Sequence, residues 1–273
     1  MRSKLLVTFD SLRWDTFCAA SLPFLKTVGD WRRAVSPASY TLPAHMSFFV
    51  GKLPQTLDGA DLYDSVALRV VDGRRRRSAD LWRLVNPEAP RDARVTLEGR
   101  NVVDGFARAG LRTIGTGAMN WFNTALEPSR VLTEPFERFA FFDGPGHASH
   151  RSSEKQAAWI LDELRVEGGA PAFVFWNIGE THASFEYEGC AWQGERTPYG
   201  DRELCLERQR ACLEHVDGIV GAVAQEMERL AGPTDLILMG DHGEAFGEDG
   251  LWGHGFSHPV VMEVPMLIRL AEG

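Results

Sequence analysis

Short apolar runs alternate with helical patterns along this 273-residue chain, and the alternation strongly limits the folds that it can adopt. Helical patterns near 101–110, 153–164 and 201–231 separate apolar runs, and the first of them closes at Gly110. Strands joined by helices pair in parallel through right-handed crossovers, with helices packed on both faces of the sheet. We therefore predict an α/β fold, a three-layer α/β/α sandwich with a mostly parallel central sheet. The predicted strands lie at 4–9, 111–117, 171–179, 234–240 and 264–270.

One domain, residues 1–273, accounts for this pattern, because no internal repeat or low-complexity tract divides the chain. The least regular region is 52–98, which contains prolines and arginines but few long apolar runs. We interpret this region as an insertion or a lid within the single domain.

The apolar runs are too short for membrane segments, since about 20 consecutive apolar residues are needed to span a bilayer. The N-terminal stretch MRSKLLVTFD also has too short an apolar part for a secretory signal. The four cysteines show no CxxC spacing, so we expect free thiols rather than disulfides or a zinc cluster. These features predict a cytoplasmic location.

The net charge of −9 opposes binding to nucleic acid and to anionic membranes. The basic run Arg74–Arg77 is an exception, and we interpret it as a solvated loop. We therefore expect neither nucleic acid nor a membrane as a partner, and a homo-oligomer stays open.

Polar residues that suit a metal ion follow three of the predicted strands. Asp10 ends the first strand, Glu180 and His182 follow the strand at 171–179, and Asp241 and His242 follow the strand at 234–240. Ligands of open parallel sheets bind beyond the carboxyl ends of the strands, so these residues are expected to converge. Carboxylate oxygen and imidazole nitrogen together are typical ligands of a divalent cation.

Thr41 is a candidate nucleophile in the segment SPASYTLPAHMSFFVG. Pro43 suits the first turn of a helix, which would place the Thr41 hydroxyl at the positive end of that helix. A nearby metal ion would lower the pKa of this hydroxyl and activate it for attack. The simpler alternative is that Thr41 only caps the helix.

The sequence resembles the alkaline phosphatase superfamily, and within it the sulfatase-like branch. The middle of the chain, from about 100 to 132, is also similar to a small group of short bacterial sulfatase-like hydrolases. The resemblance implies an alkaline-phosphatase-like core and spans nearly the whole chain. Four blocks carry it in the family's order: LLVTFDSLRWDTF, SPASYTLPAHMSFFVGKLP, FVFWNIGETHASFEY, and ILMGDHGEAFGEDGLWGHG with the VPMLIRL tail.

This resemblance implies a role for each matching residue. Thr41 would be both ligand and nucleophile, and His182 and His254 would contact the transferred group, its leaving oxygen or a second metal. Arg13 would neutralise charge near the site, although an ordinary ion pair explains it equally well. The implied metal ligands are Asp10, Thr41, Asp241 and His242.

Two departures from the sulfatase pattern bear on the substrate class and on the metal ion. The second of two successive aspartates is replaced by Ser11, and the segment from Thr41 to His45 lacks both the Cys or Ser that becomes formylglycine and the arginine that follows it. These changes favour phosphate esters over sulfate esters. A less acidic, more nitrogen-rich ligand set favours zinc or manganese over calcium, with magnesium also open.

The number of metal ions is a separate question from the identity of their ligands. One ion is expected, and a second would have to draw on Glu180, His182, His254 and His258, whose spacing differs from the usual two-metal pattern.

The main functional hypothesis is a metal-dependent hydrolase of phosphate mono- or diesters that acts on a small-molecule or conjugate phosphoester. The first alternative is a phospho-group transferase, or a hydrolase of phosphonate or sulfate esters, on the same scaffold. The second alternative is a metal-binding protein of this fold without catalysis. Retention of Asp10, Thr41, Asp241 and His242 weighs against that last hypothesis.

Overall fold

The structure is a computed structural model that describes residues 1–51, 100–126, 129–142, 152–166 and 168–272, together with the backbone of three short strands between 68 and 97. The helices are α1 (Trp14–Ala19), α2 (Thr41–Val50), α3 (Val102–Arg108), α4 (Arg130–Thr133), α5 (Ser152–Val166), α6 (Arg202–Ala231) and α7 (Pro259–Met262). The strands are β1 (Ser3–Phe9), β2 (Arg32–Val35), β3 (Leu68–Val70), β4 (Arg75–Arg76), β5 (Val95–Leu97), β6 (Arg112–Gly117), β7 (Arg138–Phe141), β8 (Ala172–Ile178), β9 (Thr234–Gly240), β10 (Ala245–Phe246), β11 (Trp252–Gly253) and β12 (Glu263–Arg269).

Seven strands form the central sheet in the order β2-β12-β9-β1-β8-β6-β7. The five strands from β9 to β7 run parallel, while β12 is antiparallel to both β9 and β2. The predicted α/β fold with a mostly parallel sheet is therefore confirmed, and all five predicted strands are present. The edge strands β2 and β7 escaped prediction because each has only four residues and neither shows a buried apolar run.

Alternate residues of each central strand pack on opposite faces of the sheet. Leu5, Val7 and Phe9 of β1 join a core formed with α1, α5 and α6, whereas Leu6 joins a second core with α2, α3 and α4. Burying each such apolar side chain stabilises the fold by about 1.5–3 kcal/mol. Helices thus cover both faces, which gives the predicted three layers.

The carboxyl ends of β1, β8 and β9 meet at one edge of the sheet, where α2 begins at Thr41. Glycines let the chain pass close to its neighbours there. A Cβ at Gly243 would lie 2.1 Å from the carbonyl oxygen of Val260, so no larger residue fits without displacing backbone. Because Phe9 of β1 pairs with Gly240 of β9, Asp10 and Asp241 lie side by side, each directly after its strand.

The region 52–98 lies outside the described residues except for β3, β4 and β5, which form a separate antiparallel sheet. Its role as an insertion or a lid, and the single-domain boundary, stay predictions. The four cysteines are free, as predicted. Among the described helices, none combines the length and the apolar character needed to cross a bilayer.

Candidate metal centre and active site

Three side chains from the ends of β1 and β9 form a compact, fully buried cluster. Asp10, Asp241 and His242 have no exposed surface, and one ligand atom of each lies within 4.8 Å of the others. The Nε2 atom of His242 is 3.7 Å from Asp10 Oδ1 and 3.7 Å from Asp241 Oδ2. Two ligands about 2.1 Å from a tetrahedral ion would be roughly 3.4 Å apart, so the cluster fits one metal ion closely.

Hydrogen bonds to the backbone aim the ligand atoms of this cluster toward its centre. The Oδ1 atom of Asp241 accepts from the amide nitrogens of Ser11 (3.1 Å) and His242 (2.8 Å). Its Oδ2 atom is buried and accepts no hydrogen bond from the described residues. The Nδ1 atom of His242 donates to the Gly243 carbonyl at 2.8 Å, which leaves the Nε2 lone pair free for a metal.

The electrostatics of the cluster also call for a cation. Burial and then the neighbouring Asp10 carboxylate raise the pKa of Asp241 well above its usual range. Burial and then repulsion from His254 lower the pKa of His242 to about 3, so its imidazole is neutral. Two carboxyl groups and a neutral imidazole are together a typical donor set for a divalent metal.

Thr41 lies beside this cluster at the start of α2. It is the first residue of the helix, whose N-cap is Tyr40, and only 2% of its surface is exposed. The Thr41 hydroxyl donates to Asp10 Oδ2 at 3.2 Å and lies 3.4 Å from His242 Nε2. The described hydroxyl contacts are therefore with the metal-site residues rather than with the backbone N–H groups that a cap would bind.

A buried hydrogen-bond chain supports Asp10 and Thr41 from the side of the sheet. Asn177 donates to Asp10 Oδ2 at 3.4 Å and to Thr8 Oγ1 at 3.3 Å. Thr8 in turn donates to Nε2 of His45 at 2.9 Å, and Nδ1 of His45 donates to the Thr41 carbonyl at 2.7 Å. Burial lowers the pKa of His45 to about 4, so this histidine is neutral and can accept from Thr8.

Sequence analysis did not single out Thr8 or Asn177 for the site. The available signal was the two-residue period of a strand, since Thr8 precedes Asp10 by two positions and therefore shares its face. Asn177 similarly lies near the end of β8 on the face that Phe173 and Phe175 turn toward α2 and its neighbours.

His254 lies beside the cluster, and His182 lies beside His254. The ring centroid of His254 is 4.5 Å from that of His242 and 5.4 Å from that of His182. The structure thus brings both histidines to the positions expected from the sequence, although their roles stay predictions. The Nδ1 atom of His182 donates to the Ala183 carbonyl at 2.6 Å.

Glu244 is a site residue that sequence analysis missed, although it belongs to the DHGE segment. It is completely buried, and its Oε2 atom accepts from Nδ1 of His254 at 2.8 Å. Burial opposes its ionisation, but His254 and His182 outweigh that effect and lower the pKa of Glu244 to about 2. Burial likewise opposes a charge on His254, yet Glu244 raises its pKa above the ordinary value.

Arg13 lies behind the site rather than at its centre. Its guanidinium is 1% exposed and contacts Asp15 at 2.6 Å, Glu248 at 2.8 Å and the Glu244 carbonyl oxygen at 2.9 Å. An ion pair therefore describes Arg13 in the structure, and its predicted action on charge near the metal stays a prediction.

Two residues suggested for a second metal are directed elsewhere. Glu180 accepts from the Ser152 hydroxyl at 2.9 Å and the Ser153 amide at 2.7 Å, at the start of α5. His258 accepts from the Val260 amide at 3.3 Å and so caps α7. The suggested set of Glu180, His182, His254 and His258 is not a metal-sized cluster within the described part of the chain.

No protein-family model matches the sequence, and no curated protein matches it either. Solved structures do match. The C-terminal periplasmic domain of phosphoethanolamine transferase EptC from Campylobacter jejuni has a TM-score of 0.62 at 11% identity, covering 98% of this chain and 80% of that one. The C-terminal periplasmic domain of EcEptC from Escherichia coli, in complex with zinc, has a TM-score of 0.63 at 12% identity, covering 99% and 73%.

A third similar structure is described as a member of a named superfamily. A protein in the alkaline phosphatase superfamily from Vibrio parahaemolyticus matches with a TM-score of 0.59 at 14% identity, covering 99% of this chain and 60% of that one. The chain has an alkaline-phosphatase-like fold. At identities of 11–14% these matches establish the fold alone, and the reaction of this alkaline-phosphatase-like chain has to be argued from its own residues.

Proposed function

We propose that this chain is a metal-dependent hydrolase of phosphate esters that uses Thr41 as its nucleophile. The observation that carries the proposal is the position of the Thr41 hydroxyl, 3.2 Å from Asp10 and 3.4 Å from His242, two members of the buried cluster that also contains Asp241. A hydroxyl in that position could join the two carboxylates and the imidazole as a fourth ligand. The substrate is proposed to be a small-molecule or conjugate phosphoester.

Asp10, Thr41, Asp241 and His242 would hold one divalent ion, with zinc or manganese preferred. Such an ion supplies positive charge that lowers the pKa of the Thr41 hydroxyl and offsets charge on the transferred group. Zinc bound to the similar E. coli domain is consistent with this choice. Asn177 and the backbone donors to Asp241 keep the carboxylates in place when substrate binds.

The proposed reaction proceeds in two displacements. The Thr41 hydroxyl loses its proton to solvent by way of Asp10 Oδ2, its hydrogen-bond acceptor, and Oγ1 forms a bond to phosphorus. The bond from phosphorus to the leaving oxygen breaks, and that oxygen takes its electron pair and a proton from His254. Water then attacks the phosphothreonine and gives one proton to His254 as its oxygen bonds to phosphorus. The bond from phosphorus to Thr41 Oγ1 breaks, and Oγ1 regains a proton from solvent by way of Asp10 Oδ2.

Phosphate esters should be cleaved much faster than sulfate esters, because Thr41 cannot become the formylglycine that sulfatases use. The measurement is kcat/KM for a matched aryl phosphate, aryl phosphodiester, aryl phosphonate and aryl sulfate with zinc or manganese. A clear preference for the sulfate would contradict the proposal.

Replacing His254 with alanine should lower kcat by roughly 10²-fold or more while the metal stays bound, since general acids typically contribute 10²–10⁴-fold. Metal content measured on the same sample separates the two roles of this residue. Loss of the ion from His254→Ala would show that His254 is a metal ligand instead.

A phospho-group transferase is the second candidate, because the EptC domain with the same fold belongs to a phosphoethanolamine transferase. Both activities would share the phosphothreonine and differ in what attacks it. Turnover in the presence of added alcohols distinguishes them: a transferase yields a new phosphodiester or phosphomonoester, whereas a hydrolase yields only the product of attack by water. The predicted cytoplasmic location, the absence of membrane and nucleic-acid partners, and the oligomeric state stay open in either case.

A further inference from the structure

We propose that Glu244 and Tyr199 are positioning residues that fix His254 with its Nε2 atom facing the substrate. This inference rests on the proposed function, in which His254 protonates the leaving oxygen. It adds two residues that the proposed chemistry does not itself require, and it gives the loop before α6 a part in catalysis.

The three side chains form a linear hydrogen-bonded chain. Tyr199 donates its hydroxyl to Glu244 Oε1 at 2.5 Å, and His254 donates Nδ1–H to Glu244 Oε2 at 2.8 Å. Each oxygen of the buried carboxylate therefore has its own partner, and the carboxylate plane is held from both sides. The three residues come from three segments: the loop before α6, the turn after β9, and the end of β11.

Tyr199 holds the Glu244 carboxylate in place, although 42% of the surface of Tyr199 is exposed. Its ring lies against Trp252, with centroids 5.8 Å apart, and its hydroxyl is turned inward to the buried Glu244. Burial and the negative charge of Glu244 raise the pKa of this phenol, so the hydroxyl keeps its proton and donates it. The Tyr199 hydroxyl occupies Oε1 of Glu244, and the other oxygen, Oε2, accepts from His254.

Because Nδ1–H is donated to Glu244, the proton that His254 transfers to the leaving oxygen has to be carried by Nε2. The Nε2 atom is then the remaining nitrogen, on a ring whose centroid is 4.5 Å from that of the metal-site residue His242. A carboxylate that orients an imidazole in this way contributes through geometry, without touching the substrate. Because Tyr199 acts on His254 only through Glu244, its loss should weaken the same step more mildly.

The first test compares Tyr199→Phe with Tyr187→Phe, a matched control on the same loop whose ring stacks on His215 with centroids 4.2 Å apart. The kcat/KM of each zinc-loaded variant is measured on a series of phosphate esters from nitrophenyl to alkyl leaving groups. Tyr199→Phe should lower kcat/KM about three- to tenfold for alkyl esters, the scale of one hydrogen bond, and much less for nitrophenyl esters. Tyr187→Phe should match the parent throughout. If Tyr199→Phe lowers kcat/KM equally for every ester in the series, the inference is overturned.

The second test is a double-substitution cycle with Glu244→Gln and His254→Ala. Glu244→Gln should slow the parent about tenfold or more but add little when His254 is already alanine, because the carboxylate acts only through that imidazole. Additive losses would show that Glu244 acts elsewhere. Metal content and melting temperature of Glu244→Gln show whether the variant is folded and loaded.

A third measurement does not depend on turnover. Nitrogen NMR of the zinc-loaded parent should show His254 with a proton on Nδ1, and with a second proton on Nε2 in its charged form, and Glu244→Gln should change the Nδ1 signal while Tyr187→Phe should not. A parent His254 protonated only at Nε2 contradicts the positioning role even if Thr41 proves essential. Conversely, a fully active Thr41→Ala variant with an Nδ1-protonated His254 would refute the proposed nucleophile and leave the orientation of His254 intact.

Discussion

Replacing Thr41 with alanine is expected to lower kcat/KM on the best phosphoester by roughly 10³-fold or more, the scale that loss of a nucleophile produces in other enzymes. The hydroxyl lies at the start of α2 and 3.2 Å from Asp10, so alanine removes the attacking atom and a contact of the metal site together. The fold should persist, because the methyl group of alanine fills part of the same buried space. The measurement is single-turnover kinetics on zinc-loaded protein, with trapping of phosphothreonine in the parent.

Two variants serve as controls for Thr41→Ala. Thr41→Ser keeps the oxygen and should retain a measurable fraction of activity. Ser47→Ala removes a hydroxyl from the same helix, where it donates to the Pro43 carbonyl at 2.8 Å, and should leave kcat/KM unchanged. An unchanged rate for Thr41→Ala would mean that water attacks the ester directly and that the threonine has a structural role.

Replacing Asp241 with asparagine should weaken binding of the divalent ion roughly 100-fold or more, since changes at supporting partners alone cost 10–100-fold. The same substitution should stabilise the metal-free protein. Asparagine can keep the hydrogen bonds that Oδ1 accepts from Ser11 and His242, and it replaces a buried carboxyl group whose ionisation beside Asp10 is unfavourable. Calorimetric titration with zinc and melting temperatures with and without metal measure both effects.

The pH dependence of the stability of the metal-free protein is a second measure of what the buried Asp241 carboxyl group costs. Because its pKa is raised in the folded state, the metal-free fold binds an extra proton, and its stability should fall as pH rises from about 4, the usual Asp pKa, through the raised value. The melting temperature of Asp241→Asn should lack this component, so the parent-minus-variant difference isolates it. A variant that is less stable than the metal-free parent at neutral pH would contradict the buried-charge argument.

Local sequence pattern was enough to predict that the candidate metal ligands lie at one edge of the sheet. Asp10 and Asp241 stand directly after apolar strands, and ligands bind at the carboxyl ends of parallel strands, so the pattern predicts that the two residues lie close together. The helix beginning near Pro43 likewise placed Thr41 at the same edge. These inferences depend on backbone periodicity, which a single sequence carries well.

Contacts between distant side chains were harder to predict. Glu244 looks like any acidic loop residue until β10 and β11 bring it to His254, and Tyr199 is 45 positions away from it along the chain. Glu180 and His258, suggested for a second metal, each accept a backbone hydrogen bond at the start of a helix, and a second ion stays a prediction. Helix capping and metal binding use the same residue types, so composition alone does not separate them.

The position of β1 in the middle of the sheet has a consequence for how the chain is made. Its neighbours β8 and β9 are both synthesised much later. The Ser3 hydroxyl of β1, for example, donates to the carbonyl of Ala231, 228 positions further along the chain. At translation rates of about 5–20 residues per second, β1 waits on the order of 10–50 s for its second neighbour. Asp10 and Asp241 meet only after that pairing. A nascent chain that stops before β9 therefore has neither a complete sheet nor the full cluster of Asp10, Asp241 and His242.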